Sequence, residues 1–298
     1  MPYRSVFRSD LFAGQSIVVT GGGSGIGRCT AHELAALGAH VTLVGRKPER
    51  LERVAGEIRD DGGSADFDAL DIREEARVAE VVKGIVARRG RVHGLVNNAG
   101  GQFPSPLAMI NQKGFETVVR TNLVGGFLVA RELFMQGMRD HGGSIVNIVA
   151  DMWRGMPGMG HSGAARAGMV NLTQTMAVEW APAGVRVNAV APGWVASSGL
   201  DTYTGPAKSL IPRLPAMVPL GRLATEAEVS SAICFLLSEG AAFITGETVK
   251  VDGAAPLASL HWPMPTGGKS KSEPYQGFHR GVVPKVLGGS GEPDPTST

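Results

Sequence analysis

Short apolar runs alternate with longer amphipathic ones from residue 15 to residue 253. The first run, QSIVVT (15–20), gives way to GGGSGIG and then to apolar positions at helical spacing as far as Leu37. HVTLVG (40–45) is a second short run. KPERLERVAGEIRDDG follows it, with opposite charges at helical spacing around an apolar face. The same order then repeats. It predicts a strand over 65–72, a helix on EEARVAEVVKGIVARRG, a strand and exit loop on GLVNNAG, and a helix over about 112–139. A strand SIVNIVA (144–150), a long helix 162–181, a strand GVRVNAVAPG (184–193), a helix 226–238 and a last strand ETVKVDG (247–253) complete it. The strands are unbroken apolar runs rather than alternating ones, as needed when both faces of a sheet are covered. The pattern predicts one α/β domain: a doubly wound parallel sheet of about seven strands with helices on both faces.

Composition narrows the function classes. The chain has 298 residues, 43% hydrophobic and 19% charged, in the ordinary range for a globular protein. A net charge of +2 leaves no electrostatic footprint for nucleic acid or acidic lipid. No run of about 18 apolar residues predicts a membrane span, and MPYRSVFRSDLF lacks the apolar core of a signal peptide. Cys29 and Cys234 fall in predicted helices and read as buried thiols of a cytoplasmic protein. No His/Cys/Asp cluster has metal-ligand spacing, so no metal is expected. The domain is expected over residues 1–261, with its core at 12–256, followed by a Pro/Gly/Ser-rich extension, 262–298. The last ten or so residues of that extension should be mobile. Trp262, Tyr275 and Phe278 could dock its earlier part on a neighbouring subunit or near the active site.

The glycine run carries the first chemical signal. Thr20-Gly21-Gly22-Gly23-Ser24-Gly25-Ile26-Gly27 stands between a strand and a helix at the head of a βαβ unit. In that context Gly21, Ser24, Gly25, Ile26 and Gly27 can bring backbone N–H groups and a helix N-terminus onto a pyrophosphate. The second strand ends Gly45-Arg46-Lys47, where an NAD-binding fold usually carries an acid for the ribose 2′-hydroxyl. A carboxylate there would repel a 2′-phosphate, whereas Arg46, with Lys47 beside it and Arg50 a turn on, can grip one. The expected cofactor is NADP(H).

These motifs together resemble the short-chain dehydrogenase/reductase family. The matching pieces are TGGGSGIG (20–27), Asp71-Ile72, NNAG (97–100), Asn122 in RTNLVGGF, SIVNI, VNAVAPG (187–193) and ITGETVKVDGA (244–254). The resemblance implies a single Rossmann-type domain assembled as a homotetramer. It places Asp71 and Ile72 at the adenine, Asn98, Ala99 and Gly100 at the adenosine ribose, and Pro192 and Gly193 at the nicotinamide. Asn122 would keep a helix bulge and an ordered water for proton relay.

GHSGAARAG (160–168) departs from that family's pattern. Where most members carry Tyr-x-x-x-Lys, this chain has Ser162 and Arg166, and the family's usual serine falls near Val149 or Ala150. Arg166 can hold ribose hydroxyls but cannot give up its proton. Ser162 is too weak an acid to replace a phenol. HSGAARAG, with GGQF (100–103), resembles the subgroup containing peroxisomal trans-2-enoyl-CoA reductase and, more distantly, the 2,4-dienoyl-CoA reductases. That likeness implies reduction of a carbon–carbon double bond of an acyl-CoA by NADPH. In such a reaction the enolate oxygen needs hydrogen-bond donors rather than an immediate proton. Asn122 and Ser162 are candidate donors. Tyr203, in a loop where the family folds a lid, Asp151 at the carboxyl edge of the fifth strand, and His161 are further acid/base candidates. Met152, Trp153, Met156, Met159 and Trp194 form an apolar set suited to an acyl chain or terpenoid. Dehydrogenation of a terpenoid alcohol or aldehyde such as citronellol or citronellal, and a silent NADP(H)-binding subunit, are the alternatives. The chain ends in TST rather than Ser-Lys-Leu, so a cytoplasmic location is expected.

Overall fold

Each apolar run buries itself in the centre of one parallel sheet. In the computed structural model, which describes residues 3–258 and 271–291, seven strands lie in the order β3-β2-β1-β4-β5-β6-β7. They are β1 (Ser16–Thr20), β2 (His40–Gly45), β3 (Ser64–Ala69), β4 (Gly94–Asn97), β5 (Gly143–Ile148), β6 (Val185–Pro192) and β7 (Thr248–Val251). Every pairing is parallel, so the connections must cross over the sheet, and helices carry them. Helices α1 (Gly25–Ala36) and α2 (Pro48–Asp60) follow β1 and β2, and α3 (Glu75–Arg89) follows β3. A continuous helix α4 over 112–141 joins β4 to β5, α5 (Gly160–Trp180) joins β5 to β6, and α6 (Glu226–Leu237) precedes β7.

Two large apolar clusters fill the two faces. One places Val19, Val41, Val96 and Val146 against Leu34, Leu51, Val54 and Ile233. The other places Val18, Leu95, Ile145 and Val187 against Val82, Leu133, Met169 and Met176. Alternate residues of one strand thus feed opposite clusters, which is why the strands read as unbroken apolar runs. Cys29 and Cys234 are both buried and unpaired by disulfide. Among the described residues no helix is long and apolar enough to cross a membrane, and no group of three or more His, Cys, Asp or Glu could hold a metal ion.

The structure differs from the sequence expectations in three places. α4 contains a π-helical turn at Arg120–Gly125, where the resemblance leads a bulge at Asn122 to be expected, and a second at Phe134–Met138 that is not expected, since an insertion of this kind leaves no trace in apolar periodicity. α5 begins at Gly160, so His161 and Ser162 belong to its first turn. The connection after β6 is built of short helical turns, at Ser198–Thr202, Gly205–Leu210 and Ile211–Met217.

Trp262 and the terminal residues 292–298 lie outside the described residues. Tyr275 and Phe278 dock on the chain's own N-terminal segment and α1, and neither lines the crevice. Phe278 is 2% exposed and stacks on Tyr3 at 5.9 Å between ring centroids, and the Tyr275 hydroxyl donates to the Arg4 carbonyl at 2.5 Å. The next two residues reach the end of α2. Arg280 donates twice to the Asp61 carboxylate, at 2.9 Å each, and His279 Nε2 lies 2.9 Å from the same group. Beyond them the segment returns to the connection after β6, where the Asp201 carboxylate accepts the Lys285 and Val286 N–H groups at 3.0 and 2.9 Å.

This attachment has a pH signature. Arg28 links Glu57 to the segment, donating to the Glu57 carboxylate at 2.8 Å and to the Arg280 carbonyl at 3.4 Å; burial of Glu57 favours its neutral form, but bonds from His32 and Arg28 prevail and hold its carboxyl down at about 2. Burial opposes ionisation of Asp61 too, and Arg280 and His279 outweigh it. A depressed folded-state pKa contributes stability that is complete above the ordinary carboxylate range and is lost as pH falls through that range towards about 2. Limited proteolysis at falling pH should therefore cleave within 271–291 before the sheet unfolds, and Asp61→Asn should bring that cleavage up to neutral pH. Acid cleavage that spares this segment until global unfolding would contradict the prediction.

Candidate active site

All seven strands point their carboxyl ends the same way, and the order reverses between β1 and β4. A crevice must open at that reversal, because the connections on either side diverge. Two adjoining hollows occupy it. The larger, about 650 Å³, runs from Gly21, Ser24, Gly25 and Ile26 past Asn98, Ala99 and Gly100 to Pro192, Gly193, Trp194 and Tyr203. The smaller, about 180 Å³, lies beside Gly45, Arg46, Lys47, Arg50, Asp71, Ile72 and Arg73, and shares Gly21, Ser24, Ala99 and Gly100 with the first.

The glycines of the first turn are dictated by close approach. Gly21 has φ +68°, and its Cβ would stand 2.8 Å from Asn98 Nδ2. On Gly27 a Cβ would stand 2.4 Å from the Gly21 carbonyl oxygen. Asn98 uses its side chain to clamp this turn, donating to the Thr20 carbonyl at 3.0 Å. Thr20 Oγ1 in turn accepts the N–H groups of Asn98 and Ala99, at 3.0 and 2.9 Å. The motifs after β1 and β4 are thus two halves of one clamp, and Thr20 is a member that sequence reasoning passed over. Gly193 has the same need, since its Cβ would meet Asp252 Cα at 2.8 Å.

Charge in the smaller hollow is positive on balance. Arg46 and Lys47 are exposed at its rim. Asp71 is engaged by Arg73, whose Nη2 donates to it at 2.5 Å, and this pair holds the carboxyl below its ordinary value. Arg73 was not anticipated; its only signal is its position two residues after Asp71. Ile72 is buried against the π turn of α4, where a Cβ on Gly125 would strike it.

Arg166, projected by α5, lines the larger hollow. Nη1 donates to the Ile148 carbonyl at the end of β5 at 2.6 Å. Nε is buried with no partner among the described residues. Burial pulls the guanidinium down to about 10, so it stays charged at neutral pH. A buried cation with an unmet donor, beside glycines that leave no room for side chains, fits a nicotinamide dinucleotide whose ribose hydroxyls can accept from it.

The remaining candidates separate. Asn122 sits in the first π turn and spends its amide on Gly101: Oδ1 accepts at 2.8 Å and Nδ2 donates at 3.0 Å. Ser162 is 0% exposed and does not line the cavity. Its hydroxyl donates to Gln102 Oε1 at 2.6 Å, and Gln102 covers it. Tyr203 lines the cavity, accepting from Gln102 Nε2 at 3.2 Å. Asp151 lines it too, and burial together with Asp252 raises its carboxyl above the ordinary value. His161 is buried, with Nδ1 accepting the Ser162 N–H and its ring edge-on to Phe103 at 4.5 Å. Of the apolar set, Met156, Met159 and Trp194 line the cavity. Met152 and Trp153 do not, and Trp153 is 43% exposed under the Lys250 ammonium. Gln102, which lines the cavity and bonds both Ser162 and Tyr203, is another side chain that sequence reasoning did not single out, although the GGQF run that contains it stood out.

Comparison with known proteins agrees with this architecture. The family model described as enoyl-(acyl carrier protein) reductase matches residues 21–254. The peroxisomal 2,4-dienoyl-CoA reductase of Danio rerio is 34% identical over 263 residues, 87% of each chain. Among solved structures, the citronellol catabolism dehydrogenase AtuB of Pseudomonas aeruginosa PAO1 is 65% identical, covering 85% of this chain and 99% of its own, with a TM-score of 0.77. An actinorhodin polyketide ketoreductase solved with NADPH is 32% identical, covering 81% and 97%, with a TM-score of 0.76. A parallel sheet with its glycine clamp at the reversal, a cation from α5 in the crevice and these likenesses lead to one conclusion: the chain belongs to the short-chain dehydrogenase/reductase family, whose members are oxidoreductases using a nicotinamide dinucleotide.

Proposed function

We infer that the protein is an NADP(H)-dependent reductase of the carbon–carbon double bond of an enoyl-CoA-type thioester. The observation that carries this reading is the position four residues before Arg166. It holds a buried serine whose proton is already bound, so no tyrosine–lysine acid faces the reacting carbon. When bound, the reduced nicotinamide supplies a hydride. Around it, Gly21, Gly27 and Ser24 receive the pyrophosphate, Asp71 and Ile72 the adenine, and Arg166 the ribose next to the ring. Pro192 and Gly193 border the ring itself. Carbonyl reduction needs a proton on oxygen as charge develops there, whereas an enolate is satisfied by donors while its α-carbon takes a proton from water. Met156, Met159 and Trp194 give the acyl chain an apolar wall.

A second reading has its own support. The 65% identity to a citronellol catabolism dehydrogenase and the phenol of Tyr203 in the cavity favour a branched terpenoid alcohol or aldehyde. NADPH oxidation in the presence of crotonyl-CoA, a medium-chain trans-2-enoyl-CoA or citronellal separates the two. Turnover of an enoyl-CoA alone is the expected result. Turnover of citronellal alone would replace it with the second reading. Tight NADPH binding with no turnover of any of the three would favour a silent cofactor-binding subunit.

The preference for NADP(H) rests on Arg46 and Lys47 at the rim of the smaller hollow, with Arg50 lining it. Arg46→Glu should weaken NADPH about 100-fold or more and leave NADH nearly unchanged, since one bidentate contact is lost and a like charge gained. Equal weakening of both cofactors in kcat/KM would contradict that role. The reading includes assembly as a homotetramer, supported by fully exposed Phe243 and largely exposed Val178 near the open edge of β7.

A further inference from the structure

The connection after β6 has a small apolar core of its own. Leu200, Ile211, Leu214 and Leu223 are buried together, apart from the two clusters that fill the sheet faces. On the inner side Trp194 and Tyr203 pack against this core, and both line the larger hollow. On the outer side Val286 and Leu287 of the C-terminal segment close it. The wall between the hollow and that segment is therefore one cluster of side chains thick. Val286 and Leu287 lie beyond residue 254, where the match to the family model ends.

A carboxylate fastens the wall to the segment. Leu200, Thr202 and Tyr203 line the hollow, and Asp201 between them does not. It faces the segment instead: Oδ2 accepts the Lys285 N–H at 3.0 Å and Oδ1 the Val286 N–H at 2.9 Å. Both oxygens are engaged at once by main-chain donors, so no side-chain rotation in the segment breaks the contact, and bonds to an ionised acceptor are the stronger kind. The segment approaches Asp201 from a fixed point. Arg280 is held by the Asp61 carboxylate, and Arg28, the residue after Gly27, donates to the Arg280 carbonyl. The connection itself is built of short helical turns, which hold few backbone hydrogen bonds of their own and open easily. Its seat over the hollow thus depends on this fastening.

We propose that Asp201 is a positioning residue for substrate binding, and that residues 285–287 form a latch that holds the wall at Leu200, Thr202 and Tyr203 closed over the occupant of the larger hollow. The proposal rests on that hollow receiving the substrate, as inferred above, and on neither of the two substrate classes in particular. A substrate that binds the closed arrangement has its apparent affinity reduced by the fraction of molecules in which the wall is closed. The chemical step follows closure and involves no atom of Asp201. Loss of the latch therefore appears in KM and not in kcat.

The test compares Asp201→Ala, Asp201→Asn, Leu287→Ala and the Asp201→Ala/Leu287→Ala double variant with the wild type, each as the full chain with NADPH. The substrate is the enoyl-CoA or, failing that, the citronellal that the wild type turns over. Asp201→Ala should raise its KM about 10-fold, the scale for losing a charged hydrogen bond, with kcat and the KM for NADPH within about two-fold of wild type. Asp201→Asn keeps one acceptor oxygen and should fall in between. Leu287→Ala should raise KM alone but add little to Asp201→Ala, because an open latch has no contact left to lose. Amide hydrogen exchange reads closure without turnover. In Asp201→Ala the turns at 198–202 and 285–287 should exchange faster together, while β4, β5 and β6 keep wild-type protection. Unchanged exchange at 198–202, a fall in kcat at constant KM, or additive effects in the double variant would overturn the proposal. If Asp201→Ala loosens the strands as well, Asp201→Asn and Leu287→Ala decide by the same readings. A wild type that turns over neither substrate removes the reductase reading separately, and the exchange result then decides the latch.

Discussion

Gly27→Ala is expected to abolish cofactor binding in a protein that remains folded. The added Cβ would stand 2.4 Å from the Gly21 carbonyl oxygen and 2.5 Å from Asn98 Nδ2. The first is backbone, and Asn98 is itself bound to the Thr20 carbonyl, so neither can swing aside. α1 must instead back away from the turn proposed to receive the pyrophosphate. Strain of this kind costs about 1–3 kcal/mol in a packed site, and losing the aligned N–H groups adds to it. Together they imply at least about 100-fold weaker binding of NADPH. Gly56→Ala is the control, because its Cβ would meet nothing within 4 Å. It lies inside α2 and should raise stability by about 0.5–1 kcal/mol without touching the cofactor. Fluorescence titration with NADPH and thermal unfolding of both variants make the comparison. Near-normal affinity in Gly27→Ala would mean that the turn does not receive the pyrophosphate.

Arg166→Met is expected to divide affinity from stability. The guanidinium is buried at the crevice with the Ile148 carbonyl as its hydrogen-bond acceptor and Nε unmet. Such a group destabilises the empty protein, because no carboxylate offsets its desolvation. In the function proposed above, it is held there for the ribose. A charged hydrogen bond to a ligand contributes about 1.5–3 kcal/mol, so NADPH affinity should fall about 10- to 100-fold. A thioether of similar length replaces the charge with apolar contact. The unfolding midpoint without cofactor should therefore hold or rise, and the stabilisation that NADPH confers should shrink. A midpoint that falls together with affinity would show Arg166 to be structural.

Much of the scaffold was legible along the chain. The alternation of unbroken apolar runs with amphipathic ones determined a parallel sheet, because only a sheet covered on both faces accepts strands without a polar side. The glycine run after β1, with arginine and lysine after β2, determined a dinucleotide crevice, because both signals lie within one βαβ unit. Loss of the tyrosine–lysine pair was equally local. What the chain could not show was set by pairings far apart in sequence. Ser162 and Gln102 are 60 residues apart, and Gln102 and Tyr203 are 101. Each is an ordinary polar residue until the loop after β4 is laid on Arg166 and the connection after β6 folds over it. A bulge at Asn122 was expected from the motif, but its partner, the Gly101 backbone 21 residues away, was not. The docking of Phe278 on Tyr3 joins the two ends of the chain, and no periodicity reports it. Local pattern decided the sheet and the cofactor crevice, because those depend on neighbours in sequence. Tertiary packing alone decided which hydroxyls line the cavity and which are closed off, because that follows from the distant partner that already holds each one.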